Sequence, residues 1–187
     1  MKICWGLSSS FCTLAKVYPI IESVATENEV FAVVSHNFSV TDTRFGDAAS
    51  HMDTLSRITG KSIINTIKDA EPIGPVMKPD IMVIAPCTGN TLAKLALGIF
   101  DTPLTLGAKA HLRNGKPLII ALATNDALSC NFKNLAELYQ RKNIYFVPLV
   151  QDDPVNKPNS LVCNFELIPK AISSALAGKQ LLPLFTL

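Results

Sequence analysis

Apolar runs of five to seven residues alternate with stretches of helical periodicity from one end of the chain to the other. Ile3 to Leu7 predicts a first strand, and Leu14, Val17, Ile21 and Val24 then recur at helical spacing up to about Glu27. Val30 to Val34 predicts a second strand, rich in β-branched residues. A polar loop from Ser35 to Gly46 leads into a helix from about Asp47 to Ile58, which Gly60 stops. Ser62 to Ile64 is a short strand at best. Ile81 to Ala85 and Leu118 to Ala123 are continuous apolar runs, as expected of strands covered on both faces. Helices are predicted over Thr88–Leu97, Leu104–Leu112 and Asn134–Gln140, and a strand over Ile144–Val147. An amphipathic helix over Phe165–Leu176 follows, with Pro169 kinking it or moving its start. The alternation predicts one α/β domain over residues 1–187, a three-layer Rossmann-like or flavodoxin-like parallel sheet with helices on both faces.

Composition narrows the function classes. Of 187 residues, 48% are hydrophobic and 17% charged, and mean hydropathy is +0.29. No apolar run approaches the roughly 18–20 residues of a membrane span, so the apolar excess is assigned to sheet strands or to subunit contacts, and a homo-oligomer is expected. A net charge of +2 with scattered lysines and arginines argues against a nucleic-acid surface. Five cysteines without a CxxC pair do not read as a disulfide framework or a zinc site. The start, Met1-Lys-Ile-Cys-Trp-Gly6, lacks the pattern of a signal peptide, and a cytoplasmic protein is expected.

In an open parallel sheet, ligands bind beyond the carboxyl ends of the strands, where strand order reverses. That rule selects the loops Gly6–Cys12, Ser35–Gly46, Pro86–Thr91 and Ala123–Asn131. In the first, Gly6 allows a tight turn, and Ser8, Ser9 and Ser10 either cap the next helix or help its N-terminus hold a phosphate. Pro86-Cys-Thr-Gly-Asn-Thr91 is more telling. Gly89 permits close approach or positive φ, and Thr88, Asn90 and Thr91 place three polar side chains at a helix start that needs one cap.

The segment Ala85 to Ala96, followed by Gly98-Ile-Phe-Asp101, resembles the flavin-binding signature of the flavoprotein superfamily of cysteine-type decarboxylases. That group includes phosphopantothenoylcysteine decarboxylase and the flavin prenyltransferases. Further segments are similar to the B subunits of dipicolinate synthases. They include Thr41-Asp-Thr-Arg-Phe-Gly46, Glu71-Pro72, Leu112-Arg-Asn-Gly115, Ala123-Thr-Asn-Asp126, Asn143 to Pro148 and the long motif Gln151 to Leu161. The resemblance implies flavin mononucleotide held by Gly6, Ser8, Ser9, Ser10 and Ser35 and by Pro86, Thr88, Gly89, Asn90 and Thr91. It also brings Asn125 near the isoalloxazine ring. It implies an A-subunit partner that handles NADP, a small dicarboxylate substrate, and a place in the mother cell of a sporulating bacterium. The chain departs from the decarboxylase pattern in two places: Ser9 stands where a second glycine is usual, and Ala70 to Pro79 contains no histidine. Both departures argue against decarboxylation; the alternative readings are an independent flavin-mononucleotide-dependent decarboxylase or flavin prenyltransferase, and a non-catalytic ligand-binding partner subunit.

Other residues keep two readings. Asp42 and Arg44 form a local ion pair, or Arg44 takes a substrate carboxylate in bidentate fashion. Lys157 serves a second carboxylate as a point charge, or the Gln151–Asn159 loop docks a partner. Asn125 and Asp126 form a turn or face the ligand. Cys87 reads as a packed thiol, and His36, His51 and His111 as surface or locally bonded histidines.

Overall fold

The computed structural model describes residues 1–186. Five parallel strands form the centre of the sheet: β1 (Lys2–Leu7), β2 (Glu29–Val34), β3 (Ile81–Cys87), β4 (Leu118–Thr124) and β5 (Ile144–Phe146), in the order β2-β1-β3-β4-β5. Strand order reverses between β1 and β3, which opens a crevice above their carboxyl ends. The apolar runs are buried on both faces. Ile3 to Leu7 of β1, all of β3 and Leu118 to Ala123 of β4 are inaccessible or nearly so.

Helix α1 (Leu14–Ala25) follows a 3₁₀ turn at Phe11–Thr13 and buries Leu14, Val17, Ile21 and Val24, the four residues that set its period. Helix α3 (Ala48–Thr59) begins at Asp47, whose carboxylate accepts the Ser50 N–H at 2.8 Å, and ends at Gly60 in the left-handed conformation. Between them, the polar loop contains a five-residue helix, α2 (His36–Val40), capped by Ser35. Ser62–Ile64 contributes a single bridge, Ile64 to Val33, and the chain then makes a four-residue helix, α4 (Ile67–Ala70). Helix α5 (Gly89–Leu97) leaves β3 through the cap Thr88, and α6 (Pro103–Leu112) is started by a reciprocal capping box between Thr102 and Thr105. Helix α7 (Phe132–Tyr139) joins β4 to β5. Pro169 does move a helix start, because α8 (Ile168–Leu176) holds it in its first turn. Helices α1 and α8 pack against one face of the sheet, and α5, α6 and α7 against the other.

The alternation of patterns did not signal one feature. After β5 the chain forms an antiparallel hairpin, β6 (Leu149–Val150) and β7 (Leu161–Cys163), and β7 runs antiparallel to the end of β4. The outer edge of β4 is thus shared. Leu118 to Ile120 pair with β5, and Ala123 and Thr124 pair with β7. The sheet is mixed, with seven strands, and the 151–160 loop hangs over the carboxyl end of β4. Among the described residues, no helix is long and apolar enough to cross a membrane.

Candidate functional site

The crevice at the strand-order reversal is a cavity of about 900 Å³. Its lining comes from the loops after β1, β3 and β4, from the Thr43–Phe45 turn and from the 151–160 loop.

Two fully packed side chains join the floor of the crevice. Trp5 sends its indole N–H to the Ala85 carbonyl at 2.9 Å, tying the end of β3 to β1. Ser8, 1% exposed, donates its hydroxyl to the Pro86 carbonyl at 2.8 Å and accepts the Thr88 N–H at 2.8 Å. A single hydroxyl therefore locks the first loop to the start of α5. Thr88 accepts the Thr91 N–H in turn, and the Thr91 hydroxyl accepts from that of Thr88 at 3.2 Å. That leaves the Gly89 and Asn90 N–H groups with no acceptor among the described residues. They point beyond the N-terminus of a nine-residue helix, where the macrodipole favours an anion.

Gly89 is required for close approach, and its φ is ordinary. A Cβ there would lie 2.6 Å from Asn131 Nδ2, 2.6 Å from Thr124 Oγ1 and 2.7 Å from Asp126 Oδ1. These three atoms belong to one network after β4. Asp126 accepts from the Thr124 hydroxyl, from Asn131 Nδ2 at 2.8 Å and from the Cys130 thiol at 3.2 Å. Asn131 in turn accepts from Asn134 at 2.8 Å. Burial alone would raise the Asp126 carboxyl, but hydrogen bonds from Thr124, Cys130 and Asn131 hold it below the usual carboxylate range. It stays an anion and an acceptor at neutral pH.

The sequence-selected residues divide into two groups. Ser9, Ser10, Arg44, Thr88, Gly89, Asn90, Asn125 and Lys157 line the cavity. Gly6, Ser8, Ser35, Pro86 and Thr91 stand behind the lining. Gly6 lies within β1, and a Cβ on it would meet Leu104 Cδ1 at 2.5 Å, so it serves helix packing rather than a turn. Ser35 caps α2 and its hydroxyl lies 3.3 Å from that of Ser9. The Ser10 side chain does not cap the helix after it; its hydroxyl lies 4.0 Å from the Cys12 thiol, and both residues line the cavity.

The other candidate residues have defined local contacts. Asp42 accepts the Ala48 N–H at 2.9 Å and makes no ion pair with Arg44, whose guanidinium lies over the Phe45 ring at 4.9 Å. Lys157 pairs with Asp152 at 3.2 Å, and Asp152 also accepts the Ser160 hydroxyl at 2.7 Å. Cys87 is fully buried, and burial pushes its thiol pKa up. His51 is buried among Phe11, Tyr18 and Phe38, with Nδ1 2.7 Å from the Tyr18 hydroxyl. His111 holds the Pro117 carbonyl at 2.8 Å. Sequence reasoning missed Phe11, Phe45, Asp152 and Ser160 as lining residues. Asp152 and Ser160 were within the long polar motif, whereas nothing local marks Phe11 as the wall in front of a histidine forty residues away.

Comparison with known proteins identifies the family and the fold. The family model described as Flavoprotein matches residues 1–172. The B subunit of dipicolinate synthase from Bacillus subtilis (strain 168) is 45% identical over 184 residues, covering 98% of this chain and 92% of its own. The crystal structure of the corresponding B subunit from Bacillus halodurans superposes with a TM-score of 0.91 at 42% identity, covering 100% of this chain and 96% of that one. The FMN-dependent cysteine decarboxylase SpaF shares the fold, with a TM-score of 0.66 at 22% identity over 95% of each chain. The chain belongs to the flavoprotein family, and within it to the group represented by the B subunits of dipicolinate synthases.

Proposed function

We propose that this chain is the B subunit of a dipicolinate synthase. It would act with a nicotinamide-dependent A subunit to convert 4-hydroxy-tetrahydrodipicolinate to dipicolinate during sporulation. The observation that carries this reading is the 45% identity to the Bacillus subtilis protein over nearly the whole chain. The overall change removes one water and two electrons with two protons, leaving an aromatic ring.

The cavity fits flavin mononucleotide. The free Gly89 and Asn90 N–H groups would hold its phosphate, the Ser9 and Ser10 hydroxyls would add donors, and Asn125 would stand beside the ring system. Flavin, when bound, supplies reversible acceptance of two electrons. The chain itself supplies a grip for the anion, aromatic walls at Phe11 and Phe45, and an ionised Asp126 that accepts hydrogen bonds. An independent decarboxylase is less well supported. The stretch before β3 has no histidine, and His51 lies behind Phe11 rather than on the cavity lining.

The test is to purify the chain alone and with its A-subunit partner, record the visible spectrum, and assay dipicolinate formation. A yellow chain and synthesis that needs both proteins are expected. Full activity from the A-subunit partner on its own would remove the proposal.

A further inference from the structure

The cavity lining carries four charges: Arg44, Lys157, Asp126 and Asp152. Three are satisfied internally. Lys157 and Asp152 form an ion pair, and the second Asp152 oxygen takes the Ser160 hydroxyl. Asp126 receives three side-chain donors. Arg44 is different. Its guanidinium has no carboxylate and no hydrogen-bond acceptor among the described residues, and it lies over the Phe45 ring at 4.9 Å. A guanidinium offers five N–H donors in a planar fork that matches a carboxylate.

The turn that carries Arg44 has a defined shape. Thr43 and Gly46 exchange backbone hydrogen bonds at 3.0 and 3.1 Å, and the Thr43 hydroxyl accepts the Phe45 N–H at 3.1 Å. Gly46 has φ +133°, and a Cβ there would lie 2.9 Å from His51 Nε2. That nitrogen is buried without a partner, so the ring fills the space under the turn and leaves Gly46 no room to carry a side chain. The turn therefore projects Arg44 and Phe45 together, a cation on the face of an aromatic ring, at an exposed part of the lining.

Exposure separates two anion sites. The α5 N-terminus offers backbone donors at a buried glycine, suited to a resident phosphate. Arg44 is exposed, suited to a ligand that enters and leaves with each turnover.

We infer that Arg44 is the receptor for a carboxylate of a flat, ring-shaped substrate, and that Lys157 is not its equivalent because Asp152 already neutralises it. This rests on the proposed function for the choice of ring, not for the carboxylate.

The test is calorimetric titration of the purified full chain with pyridine-2,6-dicarboxylate and with its uncharged analogue pyridine-2,6-dimethanol. Flavin mononucleotide affinity is measured in parallel by fluorescence quenching. Arg44→Gln is expected to weaken the dicarboxylate roughly ten- to hundredfold, the loss of a charged bidentate contact. Arg44→Lys should recover part of that, Lys157→Gln should change it less than about threefold, and dimethanol and flavin affinities should stay as they are. Dicarboxylate affinity within about twofold of the parent in Arg44→Gln would overturn the inference. So would loss of flavin instead, or no dicarboxylate binding by the parent chain. If dicarboxylate binding depends on Arg44 but the two-subunit complex makes no dipicolinate, the receptor stands and the proposed function falls.

Discussion

Replacing Gly89 by alanine sets two physical effects against each other. Intrinsic propensity favours the change, because alanine in place of glycine in a helix contributes up to about 1 kcal/mol. Packing opposes it. The new Cβ would stand 2.6 to 2.7 Å from three polar atoms, all inside the 3.0 Å that Cβ atoms essentially never cross. None of the three can swing away freely. Thr124 and Asn131 are both bonded to Asp126, and Asn131 is held again by Asn134. Either α5 shifts outward or a charge-assisted bond breaks, and overpacking of this kind costs about 1–3 kcal/mol. The packing penalty should win, for a net loss of about 1–2 kcal/mol. That corresponds to a fall in Tm of about 2–8 °C for a chain of this length. The measurement is thermal and urea unfolding of the flavin-free protein, so that ligand linkage plays no part. Flavin affinity should fall as well, because the Gly89 and Asn90 N–H groups move with the helix. Equal or greater stability in Gly89→Ala would show that α5 does not approach the Asp126 network, and the account of the site would fail.

Three further outcomes are expected. Ser8→Ala should cost about 1–3 kcal/mol in urea unfolding, since both bonds of a buried hydroxyl are lost, the one to the Pro86 carbonyl and the one from the Thr88 N–H; a change under about 0.5 kcal/mol would refute the lock. His51 and His111 are held below the ordinary histidine value, in both cases chiefly by burial. For His51 the charge of Asp47 opposes that effect in part, and for His111 the bond to the Pro117 carbonyl does so. The unfolded chain therefore takes up protons first, so stability should be full above about pH 6.5 and decline below it; a flat unfolding free energy from about pH 8 to 5 would contradict this. Alkylation of the native protein should label Cys12 and Cys130, which are exposed, and spare the buried Cys4, Cys87 and Cys163. Burial holds those three thiols protonated; rapid labelling of Cys87, read by mass spectrometry, would count against the packing of β3.

What could be read from the residues follows the range of the forces involved. The α1 stripe, the Asp47 and Gly60 ends of α3 and the buried runs of β3 and β4 are local patterns, and the structure reproduces them within a residue or two. The two- and three-residue strands of the hairpin are too short to show a period. Their pairing is set by the free end of β4, which only the assembled sheet provides. In the candidate site, the helix start at Thr88 was legible, because a cap followed by surplus polar residues is unusual. The reason for Gly89 was not, since its neighbours Thr124, Asp126 and Asn131 lie on a different loop. The same holds for Gly46, which looked like a loop glycine and proves to be fitted over His51.

The shared edge of β4 also bears on redesign. The first half of that strand is committed to β5 and the core, while its last two residues hold the hairpin through a separate, short pairing. The 151–160 segment can therefore be exchanged for a loop of another length or charge without altering the parallel strands, provided Leu161 and Val162 keep their register. A chimaera built that way would keep the N-terminus of α5 and receive a new wall on the cavity, making this fold a host on which ligand preference can be varied separately from foldability.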